Sequence, residues 1–309
     1  MKYIIENALT NIYGEEQRNS YLIEGSKVMY NANHFSQYNH MRINTDRFVL
    51  TPGYAMVDFS ILSISHFSSF KERMKHLQSI GCTTLITAFN VFLEHEFRTE
   101  LKKAKHALIN SSIDYLLGAK IPLSKLTPTM VRMCCKHKVP LIFAEIIDPE
   151  EINDVNWQWI RGELFPYHTM IVPIWNIPGS KRTLQRFKME WEQILTVNKI
   201  TTQIDAPIEH APLSKQFLLN VGLYPKKGAL KVGTDADYLL FSKAELDGDE
   251  KDYKDIHPEV VVANGVVKKA GIEVYIQPGV GKELTVAVPR QFTQISHAFQ
   301  PATIYVDYY

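Results

Sequence analysis

The amino-acid sequence predicts an α/β protein in which a central region of alternating strands and helices is flanked by two β-rich ends. Residues 1–50 and 220–309 contain short apolar runs separated by Gly, Asn and Asp, which is typical of strands joined by turns. Residues 51–219 alternate strand-like apolar runs with apolar positions spaced three and four apart, which indicates helices. These changes of pattern define the three predicted regions.

The central region begins with a strand-like run over residues 54–64, and a helix follows that buries Phe70, Met74 and Leu77 and ends at Gly81. Further strands are predicted over residues 83–89, 113–121, 139–146 and 169–175. Helices between them are predicted from Phe97, Leu101, Ala104 and Leu108, from the N-cap pair Thr127-Pro128, and from Asp148-Pro149-Glu150-Glu151. Because the strands are apolar on both faces, we expect parallel βαβ units with right-handed crossovers.

The C-terminal region returns to strand patterns. Strands are predicted over residues 236–241, 259–263, 266–268, 273–276 and 284–288, with a surface loop over 246–255. A complete eight-unit barrel takes about 250 residues, whereas only residues 51–219 lie between the two β-rich ends. Any barrel formed by the central region is therefore short.

Composition excludes several classes of function. The net charge is +1, with 34 basic and 33 acidic residues, so no field of one sign attracts nucleic acid or an anionic membrane. No apolar stretch approaches the roughly 20 residues of a membrane helix. Cys82, Cys134 and Cys135 lack CxxC spacing, which predicts free thiols and favours a reducing, cytoplasmic location. The G-x-S-x-G, P-loop and G-x-G-x-x-G motifs are absent.

Two segments carry a family resemblance. The junction of the N-terminal and central regions reads Leu50-Thr51-Pro52-Gly53-Tyr54, and residues 222–241 read GLYPKKGALKVGTDADYLLF, followed by VANGVV at 262–267. These segments resemble the amidohydrolase superfamily, particularly its cyclic-amide branch of dihydroorotases, hydantoinases and allantoinases. The resemblance implies a truncated or incomplete TIM-like barrel flanked by a small β-sandwich built from both chain termini.

The best-matched segment predicts structure rather than chemistry. Gly228 and Gly233 stand where tight turns need a positive φ. Asp235 and Asp237 are placed to accept hydrogen bonds from turn amides before the strand begins.

The resemblance also implies hydrolysis of C–N bonds by one or two divalent metals that activate water. The family's hallmark is H-x-H at the end of the first barrel strand, and none of the 11 histidines forms it. An ungapped alignment puts Asp58 and Ser60 at the two histidine positions. A two-residue gap makes Asp58 the preceding aspartate and leaves Ser60 and Leu62 there. Asp58 is thus a candidate oxygen ligand or a strand-end residue that binds local amides.

Two further strand ends resemble the family's ligand positions. Gly118-Ala119-Lys120-Ile121 resembles the segment whose lysine is carboxylated and bridges two metals, which makes Lys120 a candidate ligand; a rim lysine exposed to water is the alternative. The strand ending at Glu145 resembles an apolar-His-Ala-Glu strand, but Phe143 occupies the histidine position. A phenyl ring cannot bind a metal and would fill the ion's cavity. Glu145 remains a candidate oxygen ligand.

Glu209-His210-Ala211-Pro212 resembles the Asp-His-Ala-Pro segment of the family's last barrel strand. By this resemblance Glu209 is the candidate catalytic base and His210 a candidate metal ligand. Few residues separate the segment from Gly222, where the family places one or two helices, so a coincidental loop is the alternative.

Two functional hypotheses follow. The first is an amidohydrolase-like protein that lacks metal-dependent C–N hydrolysis, binds no cofactor, and acts as a binding or interaction protein, which is to say a pseudoenzyme. The alternative is an active hydrolase of a cyclic amide or another C–N bond, with zinc or a similar metal in an altered site. The partner, a small molecule or a protein, is not identified by the sequence, and a homo-oligomer is one state it allows.

Overall fold

The computed structural model describes residues 1–12, 15–178, 180–246 and 257–290. The strands within them are β1 (Lys2–Ile12), β2 (Glu15–Glu24), β3 (Lys27–Ala32), β4 (Met41–Asn44), β5 (Phe48–Pro52), β6 (Tyr54–Val57), β7 (Cys82–Asn90), β8 (Asp114–Pro122), β9 (Leu141–Ile146), β10 (Met170–Trp175), β11 (Tyr238–Ser242), β12 (Val260–Ala263), β13 (Val266–Ala270) and β14 (Glu273–Val274). The helices are α1 (Phe67–Ser79), α2 (Phe97–Ala107), α3 (Pro128–Lys136), α4 (Glu151–Asp154), α5 (Trp157–Leu164), α6 (Lys181–Val197), α7 (Lys215–Val221) and α8 (Lys243–Leu246).

The central region forms a parallel half-barrel of five strands in the order β10-β9-β8-β7-β6. Successive residues of a strand point to opposite faces, so Leu85 and Phe89 of β7 pack against one apolar cluster and Ile86 and Ala88 against another. The first cluster also contains buried side chains of α1, α2, α3, α5 and α6. Burial on both faces explains why these strands read as nearly continuous apolar runs.

The inner face of the half-barrel is filled by chain that follows the fifth strand. Phe217, Leu218 and Val221 of α7 pack there together with Leu284 and Val286. The strand predicted over 284–288 is therefore wrong. Glu283, directly before this segment, forms an isolated bridge to Tyr115. The alternating pattern of 284–288 arises because Leu284 and Val286 are buried against the inner face.

A short stretch, residues 200–213, connects the two edges of the half-barrel; we call it the edge link. At the β10 edge the amide of Ile171 donates to the carbonyl of Thr201 at 3.0 Å. At the β6 edge Glu209 forms a parallel bridge with Val57, and the amide of His210 donates to the Val57 carbonyl at 3.0 Å. The edge link therefore places Glu209 and His210 beside the first strand of the half-barrel.

The two ends of the chain build one nine-stranded mixed sheet in the order β14-β13-β12-β11-β5-β1-β2-β3, with β4 paired to β1. N-terminal β5 and C-terminal β11 are directly paired and antiparallel, from Phe48 opposite Ser242 to Pro52 opposite Tyr238. The chain thus leaves this sheet at Pro52, forms the half-barrel, and re-enters the sheet at β11.

A buried ionic cluster joins the two sheets; we call it the Lys227 junction. The ammonium group of Lys227, 1% exposed, lies 2.8 Å from Asp114 Oδ2, 3.0 Å from Asp235 Oδ2 and 2.7 Å from Asp237 Oδ2. Asp114 begins β8, and Asp237 immediately precedes β11. The predicted turn-binding role is thus correct only for Asp237, which accepts the amide of Asn264 at 2.6 Å; Asp235 binds lysines because two ammonium groups face it.

Several local predictions are confirmed. Phe70, Met74 and Leu77 form the buried face of α1, and the Thr127 hydroxyl accepts the Met130 amide as the N-cap of α3. Gly228 and Gly233 have φ values of +76° and +87°. Cys82, Cys134 and Cys135 are free thiols. The predicted loop over 246–255 lies outside the described residues from 247 onward. Within the described part of the chain, no helix is long and apolar enough to cross a membrane.

Candidate functional site

Asp58 follows the last residue of β6 and is fully buried, with 0% exposure. Its Oδ1 accepts hydrogen bonds from the Ser60 amide at 2.9 Å, the Ser60 hydroxyl at 2.7 Å and the Ile61 amide at 3.0 Å. This is the common arrangement in which an aspartate terminates a strand by accepting amides of the next turn. One carboxylate oxygen of Asp58 is therefore fully used by its own loop.

The second oxygen of Asp58 faces two cationic or basic side chains. His210 Nε2 lies 3.0 Å from Oδ2, and Arg73 Nη1 lies 3.6 Å from the same oxygen and 3.2 Å from His210 Nε2. Burial opposes ionisation of Asp58. The hydrogen bonds from Ser60 and His210 and the charge of Arg73 outweigh that effect and lower the pKa of Asp58 below its ordinary value. Asp58 is an ionised, fully partnered carboxylate.

A second imidazole, His76, stands beside this group. Its ring packs edge-to-face on His210, with centroids 5.6 Å apart. Burial, followed by the nearby charges of His210 and Arg73, lowers the pKa of His76. Basic side chains thus surround the single carboxylate of Asp58.

Glu209, the candidate catalytic base, lies beside β6 and is exposed. Its Oε1 accepts the backbone amide of Phe59 at 2.5 Å. The carboxylate therefore stabilises the turn after β6 instead of reaching into the half-barrel. His210 has a φ of +61°, and this left-handed backbone conformation directs its side chain toward Asp58.

Lys120 and Glu145 form a separate pair at the ends of β8 and β9. Lys120 Nζ lies 2.8 Å from Glu145 Oε1, and the side chains are 25% and 19% exposed. Glu145 also accepts the side-chain amide of Asn176 at 2.8 Å. The carboxylation that the resemblance implies would have to replace this ion pair.

Phe143 is buried on the inner face of the half-barrel, in the same apolar cluster as Val57 and Phe59. It lies opposite Lys120 in the β8–β9 register and has 0% exposure. Its ring packs edge-to-face on Phe59 with centroids 4.7 Å apart, and a Cβ added at Gly118 would lie 3.3 Å from Phe143 Cε2. The ring occupies the histidine position of the resembling strand and is tightly enclosed.

The predicted ligands are therefore brought together as two pairs, Asp58 with His210 and Lys120 with Glu145. Strands β6 and β8, which position Asp58 and Lys120, have β7 between them, a separation of about 10 Å at the usual strand spacing. Within the described residues, no group of three or more His, Cys, Asp or Glu side chains is arranged to hold a metal.

The donors do not fit a divalent metal. A metal on Asp58 Oδ2 would have to displace His210 and would stand beside the Arg73 guanidinium, 3.6 Å from that oxygen, where like charges repel. The donors available across the site are carboxylates already bound to basic side chains or amides, plus the two imidazoles of His210 and His76, whereas zinc sites use three or four ligands in fixed geometry.

Arg73, whose charge stabilises ionised Asp58, was not predicted from the sequence as a site residue. Arg73 lies three residues after Phe70 and four before Leu77 on α1, so it flanks the buried stripe of the helix that follows β6. A cation on that flank is the available sequence signal, because it can reach the end of the preceding strand.

Comparison with known proteins gives similarity only at the level of structure. No protein-family model matches the chain, and no curated protein matches it. A D-hydantoinase structure superposes with a TM-score of 0.65 at 12% identity, covering 94% of this chain and 100% of that one. The dihydropyrimidinase from Brevibacillus agri NCHU1002 gives a TM-score of 0.57 at 13% identity, covering 94% and 100%.

A third similar structure is atrazine chlorohydrolase TrzN from Arthrobacter aurescens TC1, complexed with zinc. Its TM-score is 0.52 at 11% identity, covering 89% of this chain and 97% of that one. These identities establish the fold alone. The chain has the fold of these structures, and the resemblance expected from its sequence is confirmed as a likeness of fold.

Proposed function

We propose that this protein is an amidohydrolase-like binding or interaction protein that lacks metal-dependent C–N hydrolysis. The observation that carries the proposal is Phe143, whose fully buried ring stands at the histidine position and packs on Phe59. The space in which a metal and a substrate amide would meet in the resembling enzymes is occupied by two phenyl rings.

The electrostatics of Asp58 support the same proposal. In a metal site the carboxylate would be neutralised by the ion, but here it faces the Arg73 guanidinium and shares a hydrogen bond with His210. An aspartate with these protein partners keeps the strand end folded without any metal. The site is thus rebuilt for structure.

The architecture extends the proposal. The half-barrel has five strands, and the edge link passes directly from the β10 edge to the β6 edge. We propose that this is a truncated barrel in which the edge link replaces the remaining strands. We further propose that the mixed sheet of both chain ends corresponds to the family's β-sandwich, and that the protein is cytoplasmic.

The second candidate, an active hydrolase with an altered metal site, is favoured by one observation. Glu209 lies beside β6, and in a closed barrel the last strand pairs with the first. The Glu209-His210 segment therefore has the topological position of the family's last strand, although Glu209 binds the Phe59 amide.

Native mass spectrometry together with a hydrolysis assay separates the two candidates. Wild-type protein and the Lys120→Ala variant would be compared after incubation with bicarbonate and zinc, and assayed on hydantoin and dihydrouracil. The proposal predicts that neither protein gains the mass of a carbamate with metal, and that neither opens the rings. The hydrolase would be established instead if wild-type protein carries the carbamate, carries the metal and hydrolyses a ring, and if Lys120→Ala does none of the three.

A further inference from the structure

A cleft lies at the amino end of β10, on the opposite side of the half-barrel from Asp58, Lys120 and Glu145. Its volume is about 560 Å³, and its lining includes Gly162, Phe165, His168, Lys199 and Thr201. This volume is within the roughly 300–1,000 Å³ of small-molecule sites. Nothing in the amidohydrolase resemblance assigns a role to this end of the strands.

Of the described residues that line the cleft, Arg161 and Lys199 carry a positive charge, and none is an aspartate or a glutamate. His168 also lines it, and burial together with the charge of Arg290 lowers the pKa of this imidazole. Among the described residues neither Arg161 nor Lys199 has a carboxylate partner, whereas Arg132 of the neighbouring helix is bound to Glu163 at 2.6 Å. Arg290 stands at the same place and donates to the Thr201 hydroxyl at 2.8 Å. The cleft therefore concentrates positive potential that an anion would neutralise.

One wall of the cleft is apolar. Phe165 is 73% exposed, and its ring meets His168 edge-on with centroids 5.9 Å apart. Leu164 lines the buried side. A Cβ added at Gly162 would find nothing within 4 Å, so this helical glycine leaves a flat, open wall. An exposed phenyl ring beside a glycine surface suits the face of an aromatic ring.

We infer that this cleft binds a small aromatic anion, whose ring lies between Phe165 and Gly162 while its negative group is held by Arg161 and Lys199. This assignment does not depend on the absence of metal chemistry, since it concerns the opposite end of the strands. A protein with metal at Lys120 and an occupied cleft would refute the proposed function and leave this inference standing.

Isothermal titration calorimetry with three probes tests the inference: 2-naphthoate, the neutral 2-naphthalenemethanol, and inorganic phosphate. We expect saturable binding of 2-naphthoate that weakens as salt is raised, and no saturable binding of the other two. Arg161→Gln and Lys199→Asn should each weaken 2-naphthoate binding by about fivefold, the equivalent of about 1 kcal/mol for one exposed charge contact. Lys199 has a φ of +56°. Asparagine is the replacement chosen there because it adopts this left-handed backbone conformation readily.

Two matched variants guard against non-specific effects. Gly162→Phe should abolish binding by filling the open wall, whereas Gly162→Ala should retain it. Lys125→Gln removes one exposed positive charge beyond the carboxyl end of β8 and should leave binding unchanged. Equal binding of the alcohol and the carboxylate, an equal loss in Lys125→Gln, or undiminished binding by Gly162→Phe would overturn the inference.

Discussion

The Lys227 junction and the Asp58 site are both buried polar clusters, yet they have opposite relations to the amidohydrolase pattern. In the junction, one ammonium group and three carboxylates are each no more than 6% exposed and bond to one another. At the Asp58 site only the carboxylate is buried, and its partners Arg73 and His210 are 32% and 27% exposed. The junction lies in the segment that best matches the family resemblance, whereas the strand end at Asp58 does not carry the family's two histidines.

This difference in burial indicates which of the two clusters the fold requires. Burial disfavours a charged lysine, but the surrounding aspartates outweigh it and raise the pKa of Lys227 above its ordinary value. Removing that one charge would leave the buried carboxylates of Asp114 and Asp237 without a cation, whereas Asp235 would keep its ion pair with Lys27. At the Asp58 site, Arg73 and His210 bind the carboxylate, and Phe143 is buried on the inner face of the half-barrel. The junction is the cluster that we expect the fold to require.

The largest effect is expected for Lys227→Met. Breaking a buried ionic cluster by removing one partner costs about 3–5 kcal/mol, so we expect the free energy of unfolding to fall by about 4 kcal/mol. Urea denaturation would measure this loss. Lys226→Met is the matched control, because the neighbouring side chain is exposed, and it should change stability by less than about 0.5 kcal/mol. Equal losses of stability in the two variants would show that the junction does not stabilise the fold.

Phe143→Ala is expected to cost about 3 kcal/mol, because it removes a fully buried ring and leaves a cavity next to Phe59. Phe92→Ala, at a position 57% exposed, is the control and should cost far less. Thermal and urea unfolding would both report the difference. A cost below about 1 kcal/mol would mean that the Phe143 ring is loosely packed, which would contradict its close contacts with Phe59 and Gly118.

Asp58→Asn tests the electrostatics of the site through pH. Because the folded-state pKa of Asp58 is lowered, its contribution to stability is present above the unfolded pKa of about 3.9 and is lost as pH falls through the folded value. We expect the variant to be less stable by about 2 kcal/mol at neutral pH, as for hydrogen bonds to a charged group.

The stability difference between wild type and Asp58→Asn should narrow progressively as the pH is lowered from about 5 to about 3. Denaturation curves recorded in parallel at several pH values would show this. A difference that stays constant over that range would mean that ionised Asp58 does not support the fold.

The smallest effect is expected for Lys120→Met. Its partly exposed pair with Glu145 should contribute about 0.5 kcal/mol, and Glu145 keeps its bond to Asn176. Lys103→Met, which removes the more exposed lysine of the helical pair with Glu100, is a suitable comparison in the same urea assay. A loss above about 2 kcal/mol would show that Lys120 has a role that a surface pair does not explain.

The sequence predicted most of the half-barrel but not how its ends are connected. Periodic patterns located α1, α2 and α3 with their buried residues, because the outer helices follow the three- and four-residue spacing closely. Helices α6 and α7 were not predicted. The edge link has no periodicity, since only isolated bridges attach it to the strands, and its position depends on long-range packing.

At the site, local reasoning was informative where one residue decides the outcome. Phe143 was expected to fill the metal cavity, and its ring is fully enclosed. The pairing of Lys120 with Glu145 and of Asp58 with Arg73 could not be predicted, because each pair joins different elements of the fold. The sequence names candidate donors, but the partner that each donor binds depends on the assembled structure.

Elemental analysis of the purified protein is the most direct test of whether this chain binds a catalytic metal. We expect no stoichiometric zinc, manganese or iron, because Asp58 is bound by Arg73 and His210 and Phe143 occupies the histidine position. The contrary result is about one or two metal equivalents per chain, as in the one- and two-metal hydrolytic sites, with the metal lost in Lys120→Ala. That result would restore a metal-dependent hydrolase.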